Sequence, residues 1–235
     1  MVTSVPASSE LEAIAALDTC TVSNAIERFC VRPRNEGFVT GTARCRFKNH
    51  PPMLGYAVTG RIRSSMAPTS GHCYHHRIDF WRYVARGPKP SVLVLQDVDR
   101  ITGFGAFVGE IHASIGMALG CIGYVTNGAV RDLPAIQDLG FHLFSGSVAV
   151  SHAYAHLVDF GGPVEIGGLK ISPGDLIHGD VHGVHKIPLE LVGKIPQEAS
   201  KIQEEERELI DFCRSRAFSV EALADRLLRA SKDCP

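Results

Sequence analysis

The stretch "SVLVLQDVD", residues 91–99, constrains this chain more than any other. Its apolar run is continuous rather than alternating, as a strand covered on both faces requires. A chain containing such a strand must supply a layer of structure on each side of it. The residues that follow begin to do so. "GAFVGEIHASIGMALGCIGYVTNG" (105–128) reads as loop, helix and a second buried strand, with Ile111, Ile115, Ala118 and Leu119 on one helix face and Gly120 as the stop. "LPAIQDLG" repeats the helix-then-glycine pattern, and "FHLFSG" gives another short strand. Strand–helix–strand alternation of this kind predicts an α/β domain.

The flanking segments fit around that centre. In "SSELEAIAALDTCTVSNAIERF" the apolar residues recur at helical spacing. Ser9 and Glu12 are placed for a capping box, and Thr21 or Ser23 can start a second helix that runs to Phe29. "MLGYAVTGRIRSS" predicts a strand near 53–63, and "DFWRYVARG" a short helix ended by Gly87 and Pro88. From about 147 to 188, alternating residues and glycine turns predict several short strands packed as a further sheet layer. After Pro188 the chain turns into a charged helical tail whose apolar positions Ile202, Leu209, Ile210 and Phe212 form a thin stripe. A helix this polar needs something else to rest on, and a neighbouring subunit is the simplest candidate. The division expected is an α/β domain over 1–195 and a helical tail over 196–235 that packs on a neighbouring subunit.

Bulk properties exclude several classes. The 235 residues carry a formal net charge of -1 and a pI near 6.8, so bulk electrostatics draw neither nucleic acid nor an anionic membrane. No apolar run reaches the roughly 18 residues of a spanning helix. The start, "MVTSVPASSELEAIAAL", lacks a basic n-region and a continuous apolar core, so no secretory signal is expected. Seven scattered cysteines with no C-x-x-C pair fit reduced, mostly space-filling thiols and a cytoplasmic location.

Two short motifs carry the chemistry. Gly109–Glu110 opens the central helix, where glycine permits close backbone approach and free N–H groups can hold a carboxylate or phosphate. The next strand ends in "TNGAVRD", placing Arg131 beside Asp132. In an open α/β sheet, loops at the carboxyl ends of neighbouring strands form the usual ligand crevice, so the two motifs converge. Arg131 can fork onto a carboxylate or oxyanion, and Asp132 is a hard ligand for a divalent ion. The alternative is a surface arginine beside an aspartate that caps the following helix.

Glu110, twenty intervening residues, then Arg131–Asp132, with "ALGCIGYVTNGAVRD" between them, resembles the RraA-like family, which includes class II pyruvate aldolases acting on 4-hydroxy-4-methyl-2-oxoglutarate and 4-carboxy-4-hydroxy-2-oxoadipate. "VEIGGLKISPGDLIHGDVHGVHKIP" resembles the family's G-G…P-G-D…D-x-D-G-V…P segment, and "DTCTVSNAIERF" its opening helix. The likeness covers about residues 10 to 210. Asn127 stands where many members have Asp, His182 replaces the second Asp of the D-x-D-G turn, and residues 64–86 have no counterpart in the family pattern.

The resemblance implies a layered β/β/α, swivelling-domain-like fold with the helical tail. It also implies a lyase that cleaves a C–C bond of a 2-oxo acid through a pyruvate enolate, by retro-aldol cleavage of 4-hydroxy-2-oxo acids or decarboxylation of oxaloacetate. Asp132 would be the protein ligand of Mg²⁺ or Mn²⁺, and Arg131 would stabilise the enolate oxygen. Backbone groups of Gly109, Glu110, Ile111 and His112 would hold the substrate carboxylate, and Glu110 would order the waters around the ion. Glu206 of a neighbouring subunit, with Glu205 next in line, would complete that shell in a homotrimer or a homohexamer. The alternative within the family is a non-catalytic, protein-binding regulator of a ribonuclease.

Eleven histidines raise the possibility of zinc. In "HAYAH", His152 and His156 alternate as in a strand, where residues four apart lie about 13 Å from each other, too far for one ion. His178, His182 and His185 belong to a glycine hairpin, His75–His76 lie in the 64–86 segment where they could touch a substrate, and His112 is expected to line the pocket.

Overall fold

The computed structural model of the chain describes residues 6–69 and 77–230. Strand β3 (Ser91–Asp97) lies in the middle, and its two faces feed two different cores. Leu93 and Leu95 join one core and Val92 and Val94 the other, all at most 1% exposed. Its partners are parallel on both sides: β2 (Met53–Arg63) on one edge and β5 (Cys121–Val125) on the other, followed by β7 (His142–Ser145). Antiparallel strands close the ends of this eight-stranded sheet. These are β1 (Arg44–Cys45) beside β7, and β12 (Leu176–Asp180) with β13 (Gly183–Ile187) beyond β2. Strand β9 (His156–Phe160) pairs with the far half of β2.

Three packed groups surround the sheet. On one face lie α3 (Ile78–Arg86), α4 (Glu110–Ala118) and α5 (Leu133–Asp138), which contribute Phe80, Trp81, Val84, Ala113 and Ile136. On the other lies the hairpin of β10 (Val164–Ile166) and β11 (Leu169–Ile171), all four of whose apolar residues are buried. This is the expected β/β/α layering. At the β12–β13 side, α1 (Ser8–Ala15), α2 (Thr19–Arg28) and the start of α6 (Ile195–Arg214) enclose a third core with Leu54, Tyr56 and Ile187. The last helix, α7 (Val220–Ala230), is held to α6 by Phe218 against Phe212 and by the Arg226 guanidinium over the Phe212 ring.

Several local expectations need correction. The cap of α1 is Ala7, whose N–H donates to Glu10; Ser9 and Glu12 do not form the box. Helix α2 begins at Thr19, because the Asp18 carboxylate caps it and the buried Asp180 accepts from both the Thr19 N–H and its hydroxyl. The buried side of α4 is His112, Ala113 and Gly116, whereas Ile111 is 54% exposed and Ala118 is exposed. "HAYAH" is a strand only at His156; residues 152–155 form a turn. Helix α6 starts at Ile195, and Ile195, Ala199 and Ile202 pack on α1 and α2 of the same chain, so the first part of the tail belongs to the core. His75 and His76 lie outside the described residues. Among the described residues, no helix is long and apolar enough to cross a membrane.

Candidate active site

The site stands on a second, smaller sheet that the sequence did not reveal. Strands β4 (Ala106–Val108), β6 (Ala129–Val130) and β8 (Ser147–Val148) run parallel, each only two or three residues long. They extend the chain beyond the ends of β3, β5 and β7. Gly109 follows β4 and Arg131 follows β6, so the two motifs are neighbours because their strands are paired. The Arg131 N–H donates to the Val108 carbonyl, which fixes that junction.

Asp132 sits at the cap position of α5, as the alternative reading expects, but its carboxylate does not cap that helix. It turns instead to the start of α4, where Oδ2 accepts the Glu110 N–H at 3.1 Å. The backbone at Asp132 is left-handed, with φ 56°, a conformation that side chains other than Gly, Asn and Asp seldom adopt. Gly109 makes the approach possible. A Cβ built there would lie 2.4 Å from Asp132 Oδ2 and 3.1 Å from Arg131 Cγ. Partial burial pushes the Asp132 carboxyl upward, but the Glu110 N–H and the Arg131 guanidinium outweigh it and hold the group below its ordinary value. The carboxylate is ionised and about one-third exposed.

Arg131 is held at two of its five N–H donors. Nε donates to Asp132 Oδ1 at 3.1 Å, and Nη1 lies 2.9 Å from His152 Nε2. His152 is in turn anchored by Nδ1, 3.1 Å from the Ala106 carbonyl, while the Ala106 N–H donates to the Ser151 carbonyl. The turn at 151–155 packs so closely on β4 that a Cβ at Gly105 would meet the His152 carbonyl oxygen at 2.2 Å. Sequence reasoning missed His152 because the period-two texture of "HAYAH" hid a turn. The link to Arg131 is made in space: Val130 is paired with Val148, and the chain beyond Val148 folds back beside residue 131.

The remaining candidates divide. Glu110 is exposed at the first position of α4. The helical ladder of α4 begins at Ala113 donating to Gly109, so the backbone N–H groups before it belong to the first turn beside Asp132. A helix start of this kind favours an anion. The His112 side chain does not line the site. It is fully buried, 4.8 Å from the Phe107 ring and 5.8 Å from Trp81 between centroids. Glu206 is exposed on α6 and reaches Asn24 of α2 at 3.4 Å, while Glu205 pairs with Arg28; neither meets Arg131 or Asp132 within the chain. A hollow of about 680 Å³ between α1, Tyr56 and Lys89 contains none of these residues.

The family's departures have local explanations. The Asn127 side chain accepts the Asp97 N–H at 2.7 Å and donates to the Asp97 carbonyl at 2.9 Å, a two-way clasp that a carboxylate cannot make. His182 stacks its own N–H and Nδ1 on Asp180, and so stays with the turn. His178 and His185 face each other inside the core, 2.9 Å apart, and burial pushes His178 down to about 4 and His185 well below its ordinary value.

A small layered α/β protein with an Arg–Asp pair set on the start of a neighbouring helix is a recognisable class. The pattern of the RraA-like family (Aldolase/RraA) matches residues 19–185, and the chain belongs to that family. A protein of Halalkalibacterium halodurans, provisionally named 4-hydroxy-4-methyl-2-oxoglutarate aldolase, is 34% identical over 122 residues, covering 52% of this chain and 56% of the relative. The Legionella pneumophila protein DlpA is 26% identical over 180 residues, 74% of this chain but 25% of its own length. The chain thus matches about half or less of these curated relatives. Among solved structures, a Pseudomonas syringae protein of uncharacterized role superposes with a TM-score of 0.73 at 23% identity, covering 94% of this chain and 95% of that one. Streptomyces coelicolor RraAS2, described as an unusual member of the RNase ES inhibitor RraA family, gives 0.66 at 19% identity, over 90% and 98%. At these identities the structural likeness concerns the fold.

Proposed function

We propose that this chain is a divalent-metal-dependent lyase that cleaves a C–C bond of a 2-oxo acid through a pyruvate enolate. Retro-aldol cleavage of a 4-hydroxy-2-oxo acid and decarboxylation of oxaloacetate both belong to this reading. The observation that carries it is the convergence at one helix start of an ionised Asp132, whose carboxylate accepts the Glu110 N–H, and an Arg131 with N–H donors to spare.

The donor set fits a hydrated hard cation. Asp132 presents hard, ionised oxygens in a cradle that any side chain at residue 109 would fill, and Glu110 lies beside it. No group of three or more His, Cys, Asp or Glu placed to hold an ion occurs among the described residues. An ion at Asp132 must therefore keep most of its water, as Mg²⁺ does, and Mn²⁺ suits the same oxygen donors. When bound, such an ion supplies Lewis acidity towards the 2-oxo and carboxylate oxygens.

The chain's own groups do the rest. The Ile111 and His112 N–H groups receive the substrate carboxylate, and the free N–H groups of Arg131 face the C2 oxygen. As the C3–C4 bond breaks, its electron pair moves into the C2–C3 bond and charge collects on that oxygen, where a fixed guanidinium is worth several kcal/mol, roughly. The proton of the C4 hydroxyl passes to a water ordered by Glu110, and C3 takes a proton back to give pyruvate. With oxaloacetate the electron pair comes from the bond to the departing carbon dioxide. Glu206 from a neighbouring subunit completes the water shell in a trimer or a dimer of trimers.

The test is pyruvate release from oxaloacetate and from 4-hydroxy-2-oxo acids, with and without a chelator, in the native chain and in Asp132→Asn. Chelator-sensitive release that the variant loses while keeping its fold supports the proposal. Unchanged turnover in Asp132→Asn overturns the metal assignment, and no release from any substrate leaves the binding role as the better reading.

A further inference from the structure

His152 belongs to none of the motifs that mark this site, yet it touches the residue on which the proposed chemistry turns. Its geometry is specific. Nδ1 is 3.1 Å from the Ala106 carbonyl, an acceptor only, so Nδ1 must carry the proton. The neutral ring then presents a lone pair at Nε2, and it is this atom that lies 2.9 Å from Arg131 Nη1, a donor only. The chain Ala106 carbonyl, His152, Arg131, Asp132 Oδ1 is thus satisfied in one direction throughout.

The backbone around it is fitted to this purpose. Ala106 holds the turn at both its N–H and its carbonyl, the next residue Ala153 has φ 47°, and Gly105 leaves room for the His152 carbonyl. Asp132 alone fixes only one point of the guanidinium, leaving it to rotate about Nε. A second acceptor at Nη1 fixes its plane, so that the unshared N–H groups of Nη1 and Nη2 keep one direction.

We infer that His152 is a positioning residue: in its Nδ1–H form it accepts from Arg131 and locks the guanidinium plane against the developing oxyanion. The inference rests on the reading of Arg131 given under Proposed function. It concerns orientation rather than binding of the carboxylate, so its loss falls on kcat more than on KM.

The experiment is a double-mutant cycle with a spectroscopic arm. His152→Phe keeps the ring volume and removes both hydrogen bonds, and His152→Gln restores an acceptor near the Nε2 position. In the native background His152→Phe lowers kcat for pyruvate release about 10- to 100-fold, the scale of a displaced catalytic group, with KM nearly unchanged. His152→Gln recovers most of that loss. In an Arg131→Ala background His152→Phe costs nothing further, because the group it positions is gone. Independently of activity, ¹⁵N shifts of the His152 ring show the Nδ1–H tautomer in the native chain and a changed Nε2 environment in Arg131→Ala. Additive losses in the cycle, or an Nε2–H tautomer, overturn the inference. If the native chain releases no pyruvate, the lyase reading fails, and the tautomer measurement still decides whether His152 accepts from Arg131.

Discussion

A methyl group at residue 109 is the smallest change that addresses the site without touching a charged side chain. Gly109 has φ -129° and ψ -164°, open to any residue, so Gly109→Ala introduces no backbone strain. Its effect is steric. The new Cβ falls 2.4 Å from Asp132 Oδ2, and the carboxylate must rotate away from α4. That gives up the charge-assisted bond from the Glu110 N–H, worth about 1.5–3 kcal/mol if nothing replaced it. At a group one-third exposed, water takes over much of that bond, so the net stability loss is about 1 kcal/mol. For a chain of this size that lowers Tm by roughly 2–4 °C. Activity responds more strongly, because Arg131 Nε loses the fixed Oδ1 and the carboxylate must move by about 1 Å to regain ordinary contact. Such a shift costs about 10²-fold, or roughly 2.7 kcal/mol of transition-state stabilisation. The assay is coupled pyruvate release beside a thermal melt, with Gly162→Ala as control, since a Cβ there meets nothing within 4 Å. A folded Gly109→Ala protein with native turnover would refute the reasoning.

Other perturbations separate charge, assembly and stability. Arg131→Lys keeps the positive charge but not the fork, and should cost about 2–4 kcal/mol, mostly in kcat; a change confined to KM would assign Arg131 to binding alone. Under the proposed subunit-shared site, Glu206→Gln should lower activity at unchanged native mass, and mixing it with Asp132→Asn should restore some activity once subunit exchange is verified by mass; no recovery would place the whole site in one chain. Asp180 is nearly buried, and although burial pushes its carboxyl upward, the Thr19 and His182 hydrogen bonds hold it below its ordinary value. Its stabilisation is therefore present above the unfolded carboxyl pKa and is lost as pH falls through the lower, folded one. Asp180→Asn sets an amide N–H against the donors of Thr19 or His182 and should cost about 1–3 kcal/mol, read by denaturant titration; it should also flatten the acid limb of the stability curve, and an unchanged limb would assign that limb to other carboxylates.

What the sequence disclosed follows physical rules, and so does what it concealed. β3 and β5 were legible because a strand covered on both sides is apolar on both faces, as Val92 to Leu95 are. Glu110, Arg131 and Asp132 were legible because a helix and a strand of fixed length separate them. The small sheet of β4, β6 and β8 was not, since strands of two or three residues are too short to show a period. The buried face of α4 was misjudged because Ile111 and Ala118 are apolar yet point outward, while His112 points in. His152 was hidden for a further reason: its partner is chosen by the pairing of β6 with β8, a relation between segments that no window of sequence contains.

The long strand β2 carries a consequence for how the chain comes into being. One edge is taken up early, by β3 from residue 91 onward, but the other waits for β9 at residue 156 and β12 at residue 176. About 90 residues separate Arg63 from its partner His156. At a synthesis rate of about 5–20 residues per second, that edge stays unpaired for roughly 5–20 s on every nascent chain. An open edge of alternating Leu54, Tyr56, Val58 and Ile62 is a template for other strands. Sister chains emerging from one message would meet each other in that state, so yield of this protein should depend on translation speed and temperature more than on its final stability.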